Sequence, residues 1–222
     1  MTIGYIGASG LMGHGMAKNL IAKGQKLAIT VHKQRDRVKD LLDAGATLAD
    51  NAAALGASCD IVLICVTGSP QVEAVVAGPD GLLSKPKAGL IIVDCSTSEP
   101  HSTTHLRELA HSKGVVFVDA PLARSPVEAE AGRLNIMVGA TQAAFAKIEP
   151  VLKCCAENVF HVGEPGAGHA IKLLNNLHFA MKRIPFRITC KVNQDAPDSG
   201  RRSVYDDRRW TNHNIGLQPG AD

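Results

Sequence analysis

The first 165 residues alternate between short apolar runs and longer stretches with helical periodicity. Several apolar runs are unbroken series of Val, Ile and Leu, which is typical of strands buried on both faces of a parallel sheet. The pattern predicts strands at Thr2–Ile6, Leu27–His32, Ile61–Val66, Leu90–Asp94, Val115–Asp119, Leu134–Val138 and Asn158–Val162.

Helical periodicity fills the intervals between these runs. It predicts helices at Leu11–Lys23, Asp36–Ala44, Pro70–Val76, Ser102–Ser112 and Gln142–Lys153. Gly24 and Gly45 follow the first two helices, as expected of left-handed caps. Because strands that alternate with helices are joined by right-handed crossovers, the pattern predicts an α/β fold with a doubly wound, mainly parallel sheet.

The pattern changes after the Pro165-Gly166 break. A helical pattern spans Gly168–Ala180, and periodicity then fails in a stretch of turn residues and basic pairs. We therefore predict a sheet domain at 1–165, the start of a long helix at 166–181, and an atypical basic tail at 182–222. The composition of the tail favours partial disorder.

Charge divides the chain near the same point. The net charge is +3; residues 1–176 hold 16 of the 24 basic and 16 of the 21 acidic residues, so the last 46 residues carry the whole excess. A neutral body offers no electrostatic footprint for nucleic acid. We therefore expect no nucleic acid partner.

Membrane and secretion signals are not expected either. No apolar run approaches the ~20 residues of a membrane span, and the N-terminus lacks the basic start and cleavage site of a signal peptide. The six cysteines form no C-x-x-C pair, and Cys65 and Cys95 lie in strand-like runs. Buried thiols in a reducing compartment fit this usage, so we expect a cytoplasmic protein.

A glycine-rich turn follows the first predicted strand and opens the first helix, with the spacing G-x-x-G-x-x-G. Glycines let the backbone approach a pyrophosphate, whose charge a helix N-terminus stabilises. The usual G-x-G-x-x-G fingerprint would place its first glycine at Ala8, and a purely structural turn is the alternative. The position in a βαβ unit favours a dinucleotide cofactor. The residues assigned to it are Gly7, Ser9, Gly10, Leu11, Met12 and Gly13.

The end of the second predicted strand bears on which cofactor this is. NAD-specific domains usually have Asp or Glu there to hold the ribose hydroxyls. Here His32, Lys33 and Arg35 come before any acid. These basic residues favour the 2′-phosphate of NADP, with NAD as the alternative if they only form a solvated helix entry.

Four segments carry motifs in a fixed order. Their patterns are G-x-M-G-x-x-M-A-x-N-L, D-x-S-T-x-x-P, D-A-P…G-x-L…M-V-G and G-x-G-x-x-x-K-x-x-N-N. They occupy Gly10–Leu20, Asp94–Pro100, Asp119–Gly139 and Gly166–Asn176. In all four the chain resembles the β-hydroxyacid dehydrogenases, a family that includes 3-hydroxyisobutyrate dehydrogenase, tartronate semialdehyde reductase and, more distantly, 6-phosphogluconate dehydrogenase.

The resemblance implies a Rossmann domain that holds a nicotinamide cofactor, followed by an all-helical domain that completes the substrate pocket. It also implies Lys172 as the catalytic residue, although an isolated helix lysine is ordinarily only solvated. An ammonium group can stabilise the alkoxide formed in hydride transfer and protonate it. Asn176 lies four residues later on the same helical face, where it could bind the substrate or orient Lys172.

Two loops at predicted strand ends are further candidates. Ser96 and Thr97 follow one strand, where open α/β sheets bind ligands, and the resemblance places them near the nicotinamide and the substrate carboxylate. Helix capping is the alternative role for these hydroxyls. Val66 and Thr67 end an earlier strand and should border the adenosine side of the cofactor. The histidines lack metal-ligand spacing, so no metal is expected.

One departure from the family concerns the substrate loop. Family members follow D-A-P with V-S-G-G, whose small residues bind the substrate carboxylate, whereas this chain has Leu122-Ala123-Arg124-Ser125. Arg124, with Ser125 beside it, could grip a carboxylate or phosphate in a bidentate manner, or it could be a solvent-facing loop charge. Both interpretations stay open.

The larger departure follows Asn176, where family members continue with an apolar helix and a helical bundle. We expect an unrelated tail here, such as a change of reading frame would produce, with an exposed apolar face on the Lys172 helix. Because the usual helical dimer domain would then be missing, homo-oligomer formation stays open. Two hypotheses result: an NADP-linked 3-hydroxyacid dehydrogenase or reductase, or a catalytically impaired NAD(P)-binding module whose tail binds a partner.

Overall fold

The computed structural model describes residues 1–31 and 35–183, and the predicted tail lies almost entirely outside them. Over the described residues the chain forms one sheet of nine strands in the order β3-β2-β1-β4-β5-β6-β8-β7, with β9 paired to β8. The strands are β1 (Thr2–Ile6), β2 (Lys26–Thr30), β3 (Thr47–Leu48), β4 (Ile61–Ile64), β5 (Ile91–Asp94), β6 (Val116–Asp119), β7 (Leu122–Ala123), β8 (Leu134–Gly139) and β9 (Ala156–Gly163).

Helices cover both faces of this sheet. They are α1 (Leu11–Ala22), α2 (Lys39–Asp43), α3 (Ala52–Ser58), α4 (Ser69–Ala77), α5 (Pro100–Ser112), α6 (Pro126–Glu130), α7 (Gln142–Leu152) and α8 (Ala167–Arg183), with a 3₁₀ turn at Arg35–Val38 before α2. Gly24 and Gly45 have φ angles of +77° and +105°, so the left-handed caps predicted at these glycines are confirmed.

The central strands are buried on both faces, as their unbroken apolar sequences require. In β4, Ile61 and Leu63 belong to one hydrophobic cluster, whereas Val62 and Ile64 belong to another. This alternation places two separate cores on opposite sides of the sheet. The doubly wound, mainly parallel architecture predicted from the sequence is therefore confirmed.

The strand order reverses direction at β1. Strand β1 pairs in parallel with β2 on one side and with β4 on the other, so successive units wind outwards in opposite directions. Open α/β sheets bind ligands at such a switch point, beyond the carboxyl ends of the strands. Beyond β6 the sheet is mixed, because β8 runs antiparallel to both β6 and β7.

The sequence pattern missed the shortest elements and merged one pair. It gave no strand at β3 or β7 and no helix at α3 or α6, and it joined the 3₁₀ turn and α2 into a single helix. The α3 sequence, Ala-Ala-Ala-Leu-Gly-Ala-Ser, has little apolar periodicity, and only Leu55 and Gly56 are buried. It begins at Asn51, whose side chain accepts a hydrogen bond from the Ala54 amide at 2.9 Å.

Helix α8 carries a row of exposed apolar side chains, as expected from the sequence. Each is between 37% and 64% exposed: Ile171, Leu173, Leu174, Leu177, Phe179 and Met181. Within the described residues no helix combines the length and hydropathy needed to cross a membrane. The first turns of α8 pack against β8, β9 and β6. The boundary at residue 165 between sheet domain and helix stays a prediction.

Candidate functional site

The turn between β1 and α1 requires glycine at its first position. Gly7 has φ of +100°, and a Cβ there would lie 2.0 Å from the carbonyl oxygen of Cys65. The Cys65 amide in turn donates to the Ile6 carbonyl at 2.9 Å. The turn therefore packs directly onto the end of β4, at the switch point of the sheet, and leaves no room for a side chain.

The N-terminus of α1 is open to a ligand. Gly10 occupies the capping position, and within residues 1–31 and 35–183 no side chain accepts a hydrogen bond from the first turn of the helix. Gly13 lets this turn approach Gly7 closely, because a Cβ on Gly13 would lie 2.2 Å from the Gly7 carbonyl oxygen. Uncapped amides and the positive end of the helix dipole suit a phosphate group.

A cavity of about 340 Å³ opens at this helix end. Its lining residues are Ser9, Gly10, Leu11, His14, Arg37 and Glu130. Leu11 is 77% exposed there, whereas the side chain of Met12 packs against the core.

His14 ties three helices together beside this cavity. Its Nδ1 lies 2.8 Å from Glu130 Oε1 and its Nε2 lies 3.0 Å from Asp40 Oδ2. Because carboxylates only accept, both ring nitrogens donate, which requires the protonated imidazolium. Burial lowers the pKa of His14, but the hydrogen bonds to Glu130 and Asp40 outweigh it, so the pKa is raised above 6.5. Lys18 completes the cluster, 3.1 Å from Glu130.

The basic segment after β2 is only partly described. His32 and Lys33 lie outside the described residues, and Arg35 is exposed at the start of the 3₁₀ turn. Arg37, two residues after Arg35, lines the cavity at the N-terminus of α1. Arg37 was not predicted as a site residue from the sequence, because it follows the first acidic residue, Asp36, and belongs to none of the four motifs.

The loop after β5 is held by a buried carboxylate. Asp94 accepts hydrogen bonds from the Ser96 amide at 2.9 Å and from the Ser98 hydroxyl at 2.6 Å. The Ser96 hydroxyl accepts from the Val66 amide at 3.0 Å, which links this loop to the end of β4. Ser96 is buried as a result, whereas Thr97 and Thr67 are exposed at the same edge of the sheet.

A second buried carboxylate anchors the helix that carries Lys172. Asp119, at the end of β6, accepts from the Gly166 amide at 2.6 Å and from the His169 amide at 2.9 Å. Gly168 allows close contact with the sheet, since a Cβ there would lie 2.7 Å from the Met137 carbonyl oxygen. Asp119 thus caps the N-terminus of α8 and fixes it against the sheet.

Lys172 lies one helical turn beyond His169, whose side chain is buried. Lys172 itself is half-buried, and burial lowers the pKa of its amine below the ordinary 10.5. Asn176 follows one turn later and is exposed. A partly desolvated amine at this edge of the sheet is suited to exchanging a proton with a bound oxygen.

Arg124 and Ser125 lie at a second cavity, of about 590 Å³, that Glu128 and Arg133 also line. The guanidinium of Arg124 donates to the Arg133 carbonyl at 2.6 Å and to the Glu157 carboxylate. The Ser125 amide donates to the Glu128 carboxylate at 3.1 Å, at the start of α6. Arg124 is therefore held in an ion pair, and substrate contacts for both residues stay predictions.

The switch-point turn, the uncapped helix and the parallel sheet together define a dinucleotide-binding domain of the Rossmann class. Residues 2–163 match the family model described as the NAD binding domain of 6-phosphogluconate dehydrogenase. The chain belongs to this family, and the resemblance to the β-hydroxyacid dehydrogenases is confirmed.

Similarity to individual proteins supports the same assignment. The chain is 42% identical over 178 residues to 2-(hydroxymethyl)glutarate dehydrogenase of Eubacterium barkeri, covering 79% of this chain and 58% of that relative. The structure of Mycobacterium tuberculosis 3-hydroxyisobutyrate dehydrogenase with L-serine matches with 26% identity and a TM-score of 0.75, over 82% of this chain and 61% of that one. Psf3 in complex with NADP+ and 2-OPP matches with 30% identity and a TM-score of 0.74, over 80% and 62%. The chain thus spans about three fifths of the length of these proteins.

Proposed function

We propose that this chain is an NAD(P)-dependent oxidoreductase that moves a hydride between nicotinamide and a small 3-hydroxyacid or the corresponding semialdehyde acid. The proposal rests on the observation that two helix N-termini lie at the same edge of the sheet. The open N-terminus of α1 and the capped start of α8 both lie at the carboxyl edge of the sheet, beyond β1 and β6. The relative named 2-(hydroxymethyl)glutarate dehydrogenase, at 42% identity, supports a hydroxyacid as substrate.

The residues of the turn fit a dinucleotide cofactor. Gly7 and Gly13 allow a tight turn in which any Cβ would clash with backbone, and among the described residues the first amides of α1 have no side-chain partner. We assign the pyrophosphate to this turn, the adenosine side to Val66 and Thr67, and the nicotinamide side to Ser96 and Thr97. When bound, the cofactor supplies or accepts the hydride.

NADP is the proposed cofactor, with NAD as the alternative. Arg37 lines the cavity beside α1, and Arg35 begins the same 3₁₀ turn. A cationic side chain there can pair with a 2′-phosphate, which NAD lacks. The structure of Psf3 with NADP+ is consistent with this preference.

Lys172 is the proposed acid and base at the substrate oxygen. A lowered pKa increases the fraction of neutral amine, which can accept the hydroxyl proton during oxidation. In the reverse direction the ammonium form donates that proton to the developing alkoxide. Asn176, one turn further on α8, is placed to hydrogen-bond the same substrate or to orient Lys172.

A second candidate is a cofactor-binding module without turnover. The exposed apolar side chains of α8 favour it, because a closed substrate pocket would need further residues to cover them.

The proposed division into a sheet domain at 1–165 and a helix at 166–181 belongs to both candidates. So does a cytoplasmic location, which the five free cysteines of the described residues support: Cys59, Cys65, Cys95, Cys154 and Cys155.

Two measurements on the same protein distinguish these candidates. Fluorescence titration with NADPH and NADH tests cofactor binding, and turnover is then assayed on a panel of small hydroxyacids and semialdehyde acids. Binding together with turnover that Lys172→Ala abolishes supports the enzyme, whereas full turnover in Lys172→Ala refutes the role of the lysine. Binding without turnover supports the module, and NADH preference overturns the choice of NADP.

A further inference from the structure

A buried histidine connects the loop after β5 with helices α5 and α8. The imidazole of His169 is 1% exposed. Its Nδ1 lies 2.7 Å from the hydroxyl of Thr103 on α5, and its Nε2 lies 3.2 Å from the carbonyl oxygen of Ser96. The carboxylate of Asp94 lies 3.8 Å from the same Nε2. We call the contacts of His169 with Thr103 and Ser96 the His169 bridge.

The chemistry of the Ser96 carbonyl fixes the direction of one of these bonds. The Ser96 carbonyl can only accept, so Nε2 carries a hydrogen. Nδ1 shares a hydrogen bond with the Thr103 hydroxyl, whose oxygen also lies 3.1 Å from the Glu99 carbonyl. Both ring nitrogens have partners in a buried site, so each bond is costly to remove.

The bridge supplies a constraint on α8 that the Asp119 cap does not. Asp119 binds backbone amides at the N-terminal end of α8. These bonds fix the position of the helix end, but they involve no side chain of α8. His169 adds a side-chain contact on the face from which Lys172 projects one turn later, since residues three apart in a helix share a face. The bridge therefore resists rotation of α8 about its own axis.

We propose that His169 is a positioning residue, which fixes the rotation of α8 against the Ser96–Thr97 loop and thereby sets the burial of the Lys172 amine. The proposal rests on the catalytic role proposed for Lys172. His169 is not proposed to touch substrate or cofactor. It acts by linking the loop assigned to the nicotinamide with the helix assigned to proton transfer.

The test measures the pKa of Lys172 directly by NMR titration of the full chain after ¹³C-methylation of its lysines. The Lys172 signal is assigned by its absence in Lys172→Arg. Thr103→Val removes one hydroxyl from the bridge at nearly constant volume. Thr104→Val is the matched control, because Thr104 also donates to a carbonyl four residues earlier, at 3.1 Å from Pro100, but is exposed and does not contact His169.

We expect Thr103→Val to raise the pKa of Lys172 towards 10.5, because a rotated helix exposes the amine to water. His169→Ala should do the same, while His169→Gln, which keeps a donor and an acceptor, should restore much of the wild-type value. Thr104→Val should leave the pKa unchanged.

An unchanged Lys172 pKa in folded Thr103→Val overturns the proposal, as does an equal shift in Thr104→Val. If His169→Ala does not fold, Thr103→Val decides alone. A wild-type chain that binds no NADPH refutes the proposed function, yet the pKa comparison still determines whether the bridge positions Lys172. The two failures are therefore distinguishable.

Discussion

Substitution of Gly13 by alanine gives the sharpest test of the cofactor turn. The new Cβ would lie 2.2 Å from the Gly7 carbonyl oxygen, whereas a Cβ on Gly10 would lie 3.2 Å from the same atom. To reach that second spacing in Gly13→Ala, the first turn of α1 and the Gly7 turn must separate by about 1 Å. The contacted oxygen belongs to the backbone, so it cannot rotate away.

The sign of the change in folding stability in Gly13→Ala is informative. Overpacking against backbone costs about 3 kcal/mol, while replacing glycine by alanine inside a helix gains about 1 kcal/mol. The net loss of about 2 kcal/mol corresponds to a decrease in Tm of about 4–8 °C for a chain of this size. Helix propensity alone predicts an increase in Tm, so the direction of the change isolates the steric clash.

The effect on cofactor binding should be larger. A shift of about 1 Å moves a backbone amide from a normal hydrogen-bond distance to one beyond the useful range. Loss of one charge-assisted bond costs about 1.5–3 kcal/mol, or about 10- to 150-fold in the Kd for NADPH. Fluorescence titration measures this, with Gly10→Ala as the milder control. Wild-type Kd and Tm in Gly13→Ala would refute the assignment of the pyrophosphate to this turn.

Three further predictions concern other parts of the site. Asp119→Asn should lower Tm by about 2–12 °C, because it weakens charge-assisted bonds to buried amides worth about 1–3 kcal/mol, and an unchanged melting curve would contradict the capping role. The ion pairs of His14 contribute stability that is fully present below pH 6.5, and it is lost as the pH rises through the raised pKa of His14 in the folded chain. His14→Gln should therefore lower Tm more at pH 6 than at pH 9. Arg37→Ser should weaken NADPH binding about 10-fold or more while sparing NADH, and equal losses for both cofactors would exclude contact with the 2′-phosphate.

The long elements of the fold could be predicted because their apolar residues are contiguous or periodic. Strand β4 is an unbroken apolar run buried on both faces, and α1 lies between a glycine turn and a glycine cap. Short elements such as α3 and β7 gave no comparable signal, since tertiary contacts stabilise them more than local preference does.

The site was predictable only where it follows from local sequence. The turn at Gly7, Gly10 and Gly13 has a fixed spacing, and Lys172 lies within a recognisable motif. The His169 bridge joins residues 66 and 73 positions apart, so no local pattern could reveal it. Asp119 was visible as part of a motif, but its capping of α8 depends on the paired strands that bring it there.

The conformation of Arg124 has a consequence for how this chain can vary. Among the residues that the structure describes, Arg124 is the non-glycine residue with a left-handed backbone, at φ of +83°, where the family pattern has glycine. Return to glycine would relieve about 1–2 kcal/mol of backbone strain and sacrifice a partly exposed ion pair with Glu157 worth about 0–1 kcal/mol. The strain relieved and the ion pair lost are similar in size, so this loop should accept either arginine or glycine at little cost in folding stability.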